Sequence, residues 1–208
     1  MTDQLKIMLG IGAGAILLLV GGVFLATRQH PPTPTTSVDS NLLVHSDSHQ
    51  TATESARVTL VEFGDYQCPA CGAAHPVLKQ LLAKYGDHVN LVFRNFPLTQ
   101  HKNAYAAAEA AESAGEQGKY WQMHDLLYDR QSDWAQTKDP TAQFVEYAKS
   151  LELDPDKFTK SLQDHKFITV IQNDLSDGNK LGVNSTPTFF VNGSQFTGNL
   201  DQLEALLK

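Results

Sequence analysis

Apolar side chains fill Arg57 to Phe63 (RVTLVEF) almost without interruption, the pattern of a strand buried on both faces of a sheet. Downstream, Val77, Leu78, Leu81, Leu82 and Tyr85 recur at helical spacing, and Gly86 marks the stop. A second strand is predicted in HVNLVFRNFPL, His88 to Leu98, completing a βαβ opening. From about 101 to 182 the pattern turns helical. Ala104 to Ala114 is alanine-rich; Trp121, His124, Leu127 and Tyr128 mark one face, and Phe144, Val145, Ala148 and Leu151 another. Asp154-Pro155 reads as an N-cap with proline at the first helical position, and Phe167 to Leu181 completes the block. Strand character returns at Thr188 to Val191 and Gln195 to Thr197, around the hairpin dipeptide Asn192-Gly193, and a last helix spans Asn199 to Leu207. The order predicts an α/β mixed sheet interrupted by an all-helical insertion.

The N-terminus follows another pattern. After a short tail, 1–6, the run Ile7 to Ala26 carries no charge and lies between Lys6 and Arg28. A helix of about 20 residues rises roughly 30 Å, enough for the hydrocarbon core of a bilayer. The run exceeds the apolar region of an ordinary signal peptide, and Phe24-Leu25-Ala26-Thr27 is a poor cleavage site, so an uncleaved transmembrane anchor is expected. One basic residue on each side leaves the positive-inside rule nearly silent. Placing the folded domain outside the cytoplasm at the cell membrane rests on the short leading tail and on the chemistry below. Proline, threonine and serine dominate the following stretch, a tether over 27–41 leading to a folded domain over 42–208. His30, His45 and His49 are expected to be solvated there, and Leu42-Leu43-Val44 to form an edge strand.

Composition narrows the function classes. Hydrophobic residues make up 41% and aromatics 9%, as in a globular chain, and the net charge of −7 offers no basic surface to a nucleic-acid backbone. The chain owns two cysteines, both in GDYQCPACGAAHP. One CxxC pair exhausts the supply, so neither a separate structural disulfide nor an all-cysteine zinc site can form within the chain. A redox pair, part of a metal site and two inert buried thiols are the open readings. A redox cysteine must be a thiolate, and a helix N-terminus favours that form through unpaired N–H groups and the helix dipole. Pro69 suits the first helical position, which puts Cys68 at the helix start and Cys71 one turn further in. A metal site would need more ligands; His75, four residues past Cys71, is the nearest candidate and is expected to be a partly exposed polar residue. No metal and no cofactor are expected.

Three further residues bear on the pair. Glu62 stands in an apolar strand in phase with Val58 and Leu60; it is either a buried proton acceptor with a raised pKa or an acid reaching solvent at the strand end. Asp65 could raise the Cys68 pKa by like charge. In Thr186-Pro187-Thr188 a cis peptide bond would turn the Thr186 backbone toward the cysteines and an extended substrate segment, whereas an ordinary trans proline would only start an edge strand.

VTLVEFGDYQCPAC, a helical block and then GVNSTPTFFVNG together resemble the DsbA-like thiol–disulfide oxidoreductases of the thioredoxin superfamily. The resemblance runs from about Val58 to the C-terminus, and KYWQMHDLLY, Lys119 to Tyr128, is similar to the start of that family's helical insertion. It implies Cys68 as nucleophile, Cys71 as its partner, Pro187 as a cis-proline and Glu62 as the buried acid; a cis bond there would make Thr186 the substrate contact. The implied activity is the introduction of disulfides into unfolded or partly folded thiol-containing proteins outside the cytoplasm, by a monomer recycled by a membrane redox partner. A reductase or isomerase, or a non-catalytic chaperone or redox-sensing module, are the alternatives on the same fold. Ala70 departs from the strongest oxidants of the family, which carry histidine there, and this leaves the direction of electron flow open.

Overall fold

The computed structural model describes residues 38–51 and 55–208. Helix α1 (Ser40–Leu43) is a single turn capped by Asp39, whose carboxylate accepts the Asn41 N–H at 2.9 Å. The edge strand expected at Leu42-Leu43-Val44 is therefore not formed. Its terminal carbonyls are bound instead by a guanidinium, with Arg94 Nη1 at 3.0 Å from the Leu42 oxygen and 2.9 Å from that of Leu43. His45 and His49 are docked, not solvated: His45 Nε2 lies 2.9 Å from Asp177, and His49 bonds Glu112 at 2.7 Å while stacking on Tyr120. His30 and the expected span Ile7–Ala26 lie outside the described residues. Among the described residues no helix is long and apolar enough to cross a membrane.

Strand β1 (Val58–Gly64) leads through helix α2 (Pro69–Tyr85) into β2 (Val89–Asn95), which pairs with it in parallel. The six helices of the insertion follow: α3 (Ala104–Gly115), α4 (Tyr120–Asp129), α5 (Gln131–Trp134), α6 (Thr141–Ser150), α7 (Pro155–Gln163) and α8 (Ile168–Lys180). In α3, Ala107, Ala108, Ala110, Ala111 and Ala114 are all buried, which makes it the central helix of the block. The Asp154 side chain caps α7 as its sequence implies, accepting from the N–H groups of Asp156 and Lys157. The chain then returns to the sheet through β3 (Thr188–Val191) and β4 (Ser194–Phe196) and ends in α9 (Leu200–Leu207). The strand order is β2-β1-β3-β4, with β3 antiparallel to both β1 and β4, so the fold is a thioredoxin-like mixed sheet.

Side-chain alternation along β1 divides the core. Leu60 packs with Leu78 and Leu81 of α2 and Leu203 and Leu207 of α9; Val61 and Phe63 face the opposite side, with Phe96, Val183 and Phe190. Gly178 lets α8 lie against that second face, because a Cβ there would stand 2.6 Å from Phe96 Cε2 and 3.0 Å from Phe63 Cδ1. Gly178→Ala is expected to lower stability by about 1–2 kcal/mol, since overpacking costs more than the helix gains from alanine. Urea unfolding checks this; an unchanged midpoint would mean that the two rings move aside freely. The fully buried Arg94 also joins β2 to α8, with Nε 2.5 Å from Asp174 and Nη2 3.0 Å from Asp177. A buried pair of this kind fixes how the elements meet more than it adds stability.

Candidate active site

The end of β1 and the start of α2 place the cysteines. Cys68 is the N-cap of α2, with extended backbone (φ −70°, ψ 123°), and Pro69 takes the first turn, where a missing N–H costs nothing. Both cysteines are free thiols, and Cys71 is completely enclosed. Cys68 is held well below the ordinary thiol range, at about 5. The largest cause is the hydrogen bond from Cys71; burial opposes it, and Thr186 and the backbone N–H groups of Cys71 and Ala70 add to it. For Cys71 burial pushes the thiol far up, and its hydrogen bond to Cys68 and the charge of Glu62 push the same way. One sulfur is thus a thiolate near neutral pH and the other a proton-holding thiol.

Tertiary pairing brings the third partner. Antiparallel register sets Phe63 of β1 against Thr188 of β3, and the segment just before Thr188 therefore arrives beside the thiols. The Thr186–Pro187 peptide bond is cis, and Cys68 Sγ lies 3.4 Å from the Thr186 carbonyl oxygen, 118 residues away in sequence. A carbonyl accepts only, so it favours the thiol form. The Thr186 hydroxyl has the opposite effect: it is buried, has no other hydrogen-bond partner and can donate to the thiolate.

Glu62 shares the face of Leu60, opposite Phe93 on one neighbour and Phe189 on the other, and is 2% exposed. Burial, and then the nearby Cys68 charge, raise its carboxyl to about 8, so it is protonated at neutral pH. Of the two readings the buried acid is the one that fits: the strand continues two residues past Glu62, and its carboxyl is near enough to Cys68 and Cys71 for their charges to interact. A cavity of about 220 Å³ adjoins it, lined also by His75, Lys79, Trp121, His124 and Asp125. Asp65 is occupied elsewhere, accepting from the N–H groups of Gln67 and Leu98 and from His101 at 2.7–2.8 Å.

A family model described as "Thioredoxin" matches residues 46–208. The chain belongs to the thioredoxin family. The thioredoxin-family segment is also shared with longer proteins. The Na(+)/H(+) antiporter NhaA 1 of Salinispora arenicola is 41% identical over 159 residues, covering 76% of this chain and 23% of that one. The protein of the same name from Mycolicibacterium vanbaalenii is 34% identical over 210 residues, 96% of this chain and 32% of that one. The chain thus spans about a quarter to a third of the length of these curated relatives. Among solved structures, a thioredoxin-like oxidoreductase from Silicibacter pomeroyi DSS-3 superposes with a TM-score of 0.67 at 25% identity, over 82% of this chain and 96% of that one. Oxidised BdbD from Bacillus subtilis gives 0.70 at 23%, over 86% and 97%. The thiol-disulfide exchange protein alpha-DsbA2 from Wolbachia pipientis gives 0.69 at 22%, over 81% and 89%. The fold is that of the DsbA-like thiol–disulfide oxidoreductases.

Within this thioredoxin-family fold the structure gathers Cys68, Cys71, Glu62, Thr186 and Pro187 around one point. It also adds residues that sequence reasoning missed. Gln131, from α5, donates to the carbonyl oxygens of Tyr66 at 2.7 Å and Cys68 at 2.9 Å and so ties the CPAC turn to the helical insertion. Nothing in a lone exposed-looking glutamine signals this. His75, expected to be partly exposed, is 4% exposed, because α4 crosses over it. Burial holds its imidazole, and more strongly that of His124, below the usual histidine range. A groove of about 830 Å³ opens beside the pair, lined by Ala70, Ala73, Val77, Pro187, Phe189 and Phe196 among others.

Proposed function

We propose that this chain is a protein thiol–disulfide oxidoreductase that passes the Cys68–Cys71 disulfide to reduced proteins outside the cytoplasm. The single observation that carries this reading is the asymmetry of the pair, a stabilised Cys68 thiolate beside a buried, proton-holding Cys71. A substrate thiolate attacks Cys68 Sγ, the Cys68–Cys71 bond breaks, and Cys71 leaves with the electron pair. As a buried thiolate Cys71 needs a proton, and Glu62, protonated at neutral pH, is the acid placed to supply it. A second substrate thiolate then attacks the substrate sulfur of the mixed disulfide and expels Cys68, a good leaving group because its thiolate is stable. The product is one substrate disulfide and the reduced pair, whose two electrons pass to a membrane redox partner.

Stability of the Cys68 thiolate favours the reduced form and hence disulfide donation over reduction. The groove beside Ala70 and Pro187 suits an extended segment of an unfolded chain, with Val77, Phe189 and Phe196 supplying apolar surface. The uncharged run Ile7–Ala26 supports a membrane tether, and a monomer suffices for this chemistry. The relatives' name describes polypeptides three to four times longer; the segment matched here carries thiol chemistry.

Equilibration of the full chain with glutathione buffers tests the direction. A midpoint well above thioredoxin's value of about −270 mV supports donation; one at or below it would make the protein a reductant. In the reduced protein, alkylation of Cys68 is expected to be half-maximal near pH 5, with Cys71 inert, followed by mass spectrometry across pH. Two equally unreactive thiols would instead indicate a binding module without exchange activity.

A further inference from the structure

Beneath the redox pair a second group of ligating side chains converges that thiol exchange leaves unused. His75 lies on α2 one turn past Cys71, and His124 and Asp125 lie on α4, packed against it. Each of the three offers one ligand atom, and these atoms all lie within 4.8 Å of one another.

His75 Nε2 is buried and has no hydrogen-bond partner, yet it stands 3.5 Å from Oδ1 of Asp125 and 3.5 Å from Oδ1 of Asp129. That is beyond the usual N–H···O range of about 2.7–3.2 Å. It matches the edge of a tetrahedron, roughly 3.3–3.6 Å, around a cation with ligand bonds of about 2.0–2.2 Å. The other carboxylate oxygens, Oδ2 of Asp125 and Asp129, bind Lys79 Nζ at 3.0 and 3.2 Å, which leaves both Oδ1 atoms turned toward His75.

The orientation of His124 is set from behind. Tyr66 Oη lies 3.2 Å from Tyr120 Oη and 3.0 Å from His124 Nδ1. In the tautomer with its proton on Nδ1, His124 donates to the Tyr66 oxygen, and its Nε2 lone pair is then open to a ligand. A ring held by one nitrogen and free at the other is the usual arrangement of a metal-binding histidine. All three residues line the cavity of about 220 Å³, and Asp125, with its side chain 42% exposed, stands at the entrance. Rotation of that half-exposed carboxylate can shorten the longer separations.

We propose that His75, His124 and Asp125 form a binding site for a zinc-class divalent cation. Two imidazoles and one carboxylate are the donor set that such ions take, with the fourth position left to solvent in the cavity. The expectation of no metal considered His75 only as a companion of the cysteines; its partners stand instead on the crossing helix.

The test uses the full chain oxidised to the Cys68–Cys71 disulfide, so that the thiols cannot bind metal, titrated with Zn²⁺ by calorimetry. Saturable binding is expected. His75→Gln and Asp125→Asn should each weaken it by at least about tenfold, whereas His165→Gln, on an exposed residue, should leave it unchanged. Asp125 sits at the surface of α4, so its variant folds even where a change at His75 does not, and Asp125→Asn decides the matter. Absence of saturable zinc binding, or binding that Asp125→Asn leaves unchanged, would overturn the proposal.

Discussion

Cys71→Ser is expected to turn the reduced protein into a trap that forms mixed disulfides through Cys68 and does not release them. Cys68 keeps its place at the helix start and its backbone N–H contacts, so the first exchange with a disulfide substrate proceeds. In this direction, the reverse of donation and the one that restores the Cys68–Cys71 disulfide, the step that fails is resolution by Cys71, because the only other thiol of the chain is gone. A neighbouring thiol acts with an effective concentration of at least about 10⁵ M, against millimolar for any thiol in solution. Turnover should therefore fall by about 10³-fold or more, with the adduct accumulating on Cys68 by mass spectrometry. The serine hydroxyl can still donate to Cys68, whereas Cys71→Ala removes the largest influence that lowers its pKa. Alkylation of the alanine variant should accordingly reach half-maximum at higher pH than that of the serine variant. Turnover of Cys71→Ser at the wild-type rate would remove Cys71 from the mechanism.

The second large effect concerns Glu62. Its carboxyl titrates at about 8 in the folded protein and at about 4.5 unfolded. Between those values the native state holds a proton that the unfolded chain has released. Stability from this group is therefore complete below about pH 4.5 and falls as pH rises toward 8, at about 1.4 kcal/mol per unit. Glu62→Gln keeps the shape and cannot ionise. Relative to this variant, the wild type should lose about 3–4 kcal/mol between pH 5 and pH 8. Urea unfolding of both proteins at the two values measures the difference, and groups that titrate alike in both cancel. The same variant should slow exchange, because glutamine has no proton to give Cys71. Equal pH dependence in the two proteins would mean that Glu62 ionises as freely as a surface acid.

Local pattern was sufficient for much of this architecture. An unbroken apolar run announces a strand covered on both faces, as β1 and β2 are, and Asn192-Gly193 announces the β3–β4 turn. The placement of Pro69 after Cys68 marks the helix start, because proline is favoured in the first helical turn, where no N–H is needed. Leu42-Leu43-Val44 misled because three apolar residues are too short to carry a period, and Asp39 and Arg94 supplied the caps for a helical turn instead.

Other features depend on which surfaces meet. His45, His49 and His75 look alike in sequence, as polar residues expected to face solvent. Their surroundings are set by Asp177, Glu112 and the crossing of α4 over α2, all distant in the chain. Sequence alone determined the βαβ opening and the helical insertion and singled out Cys68 and Cys71 as the candidate pair, since each is written in a short contiguous stretch. Only the tertiary structure decided that Glu62 is desolvated, that Thr186 faces Cys68, and that two histidines and an aspartate converge below. Desolvation and the approach of side chains across helices depend on how whole elements pack, which no local spacing records.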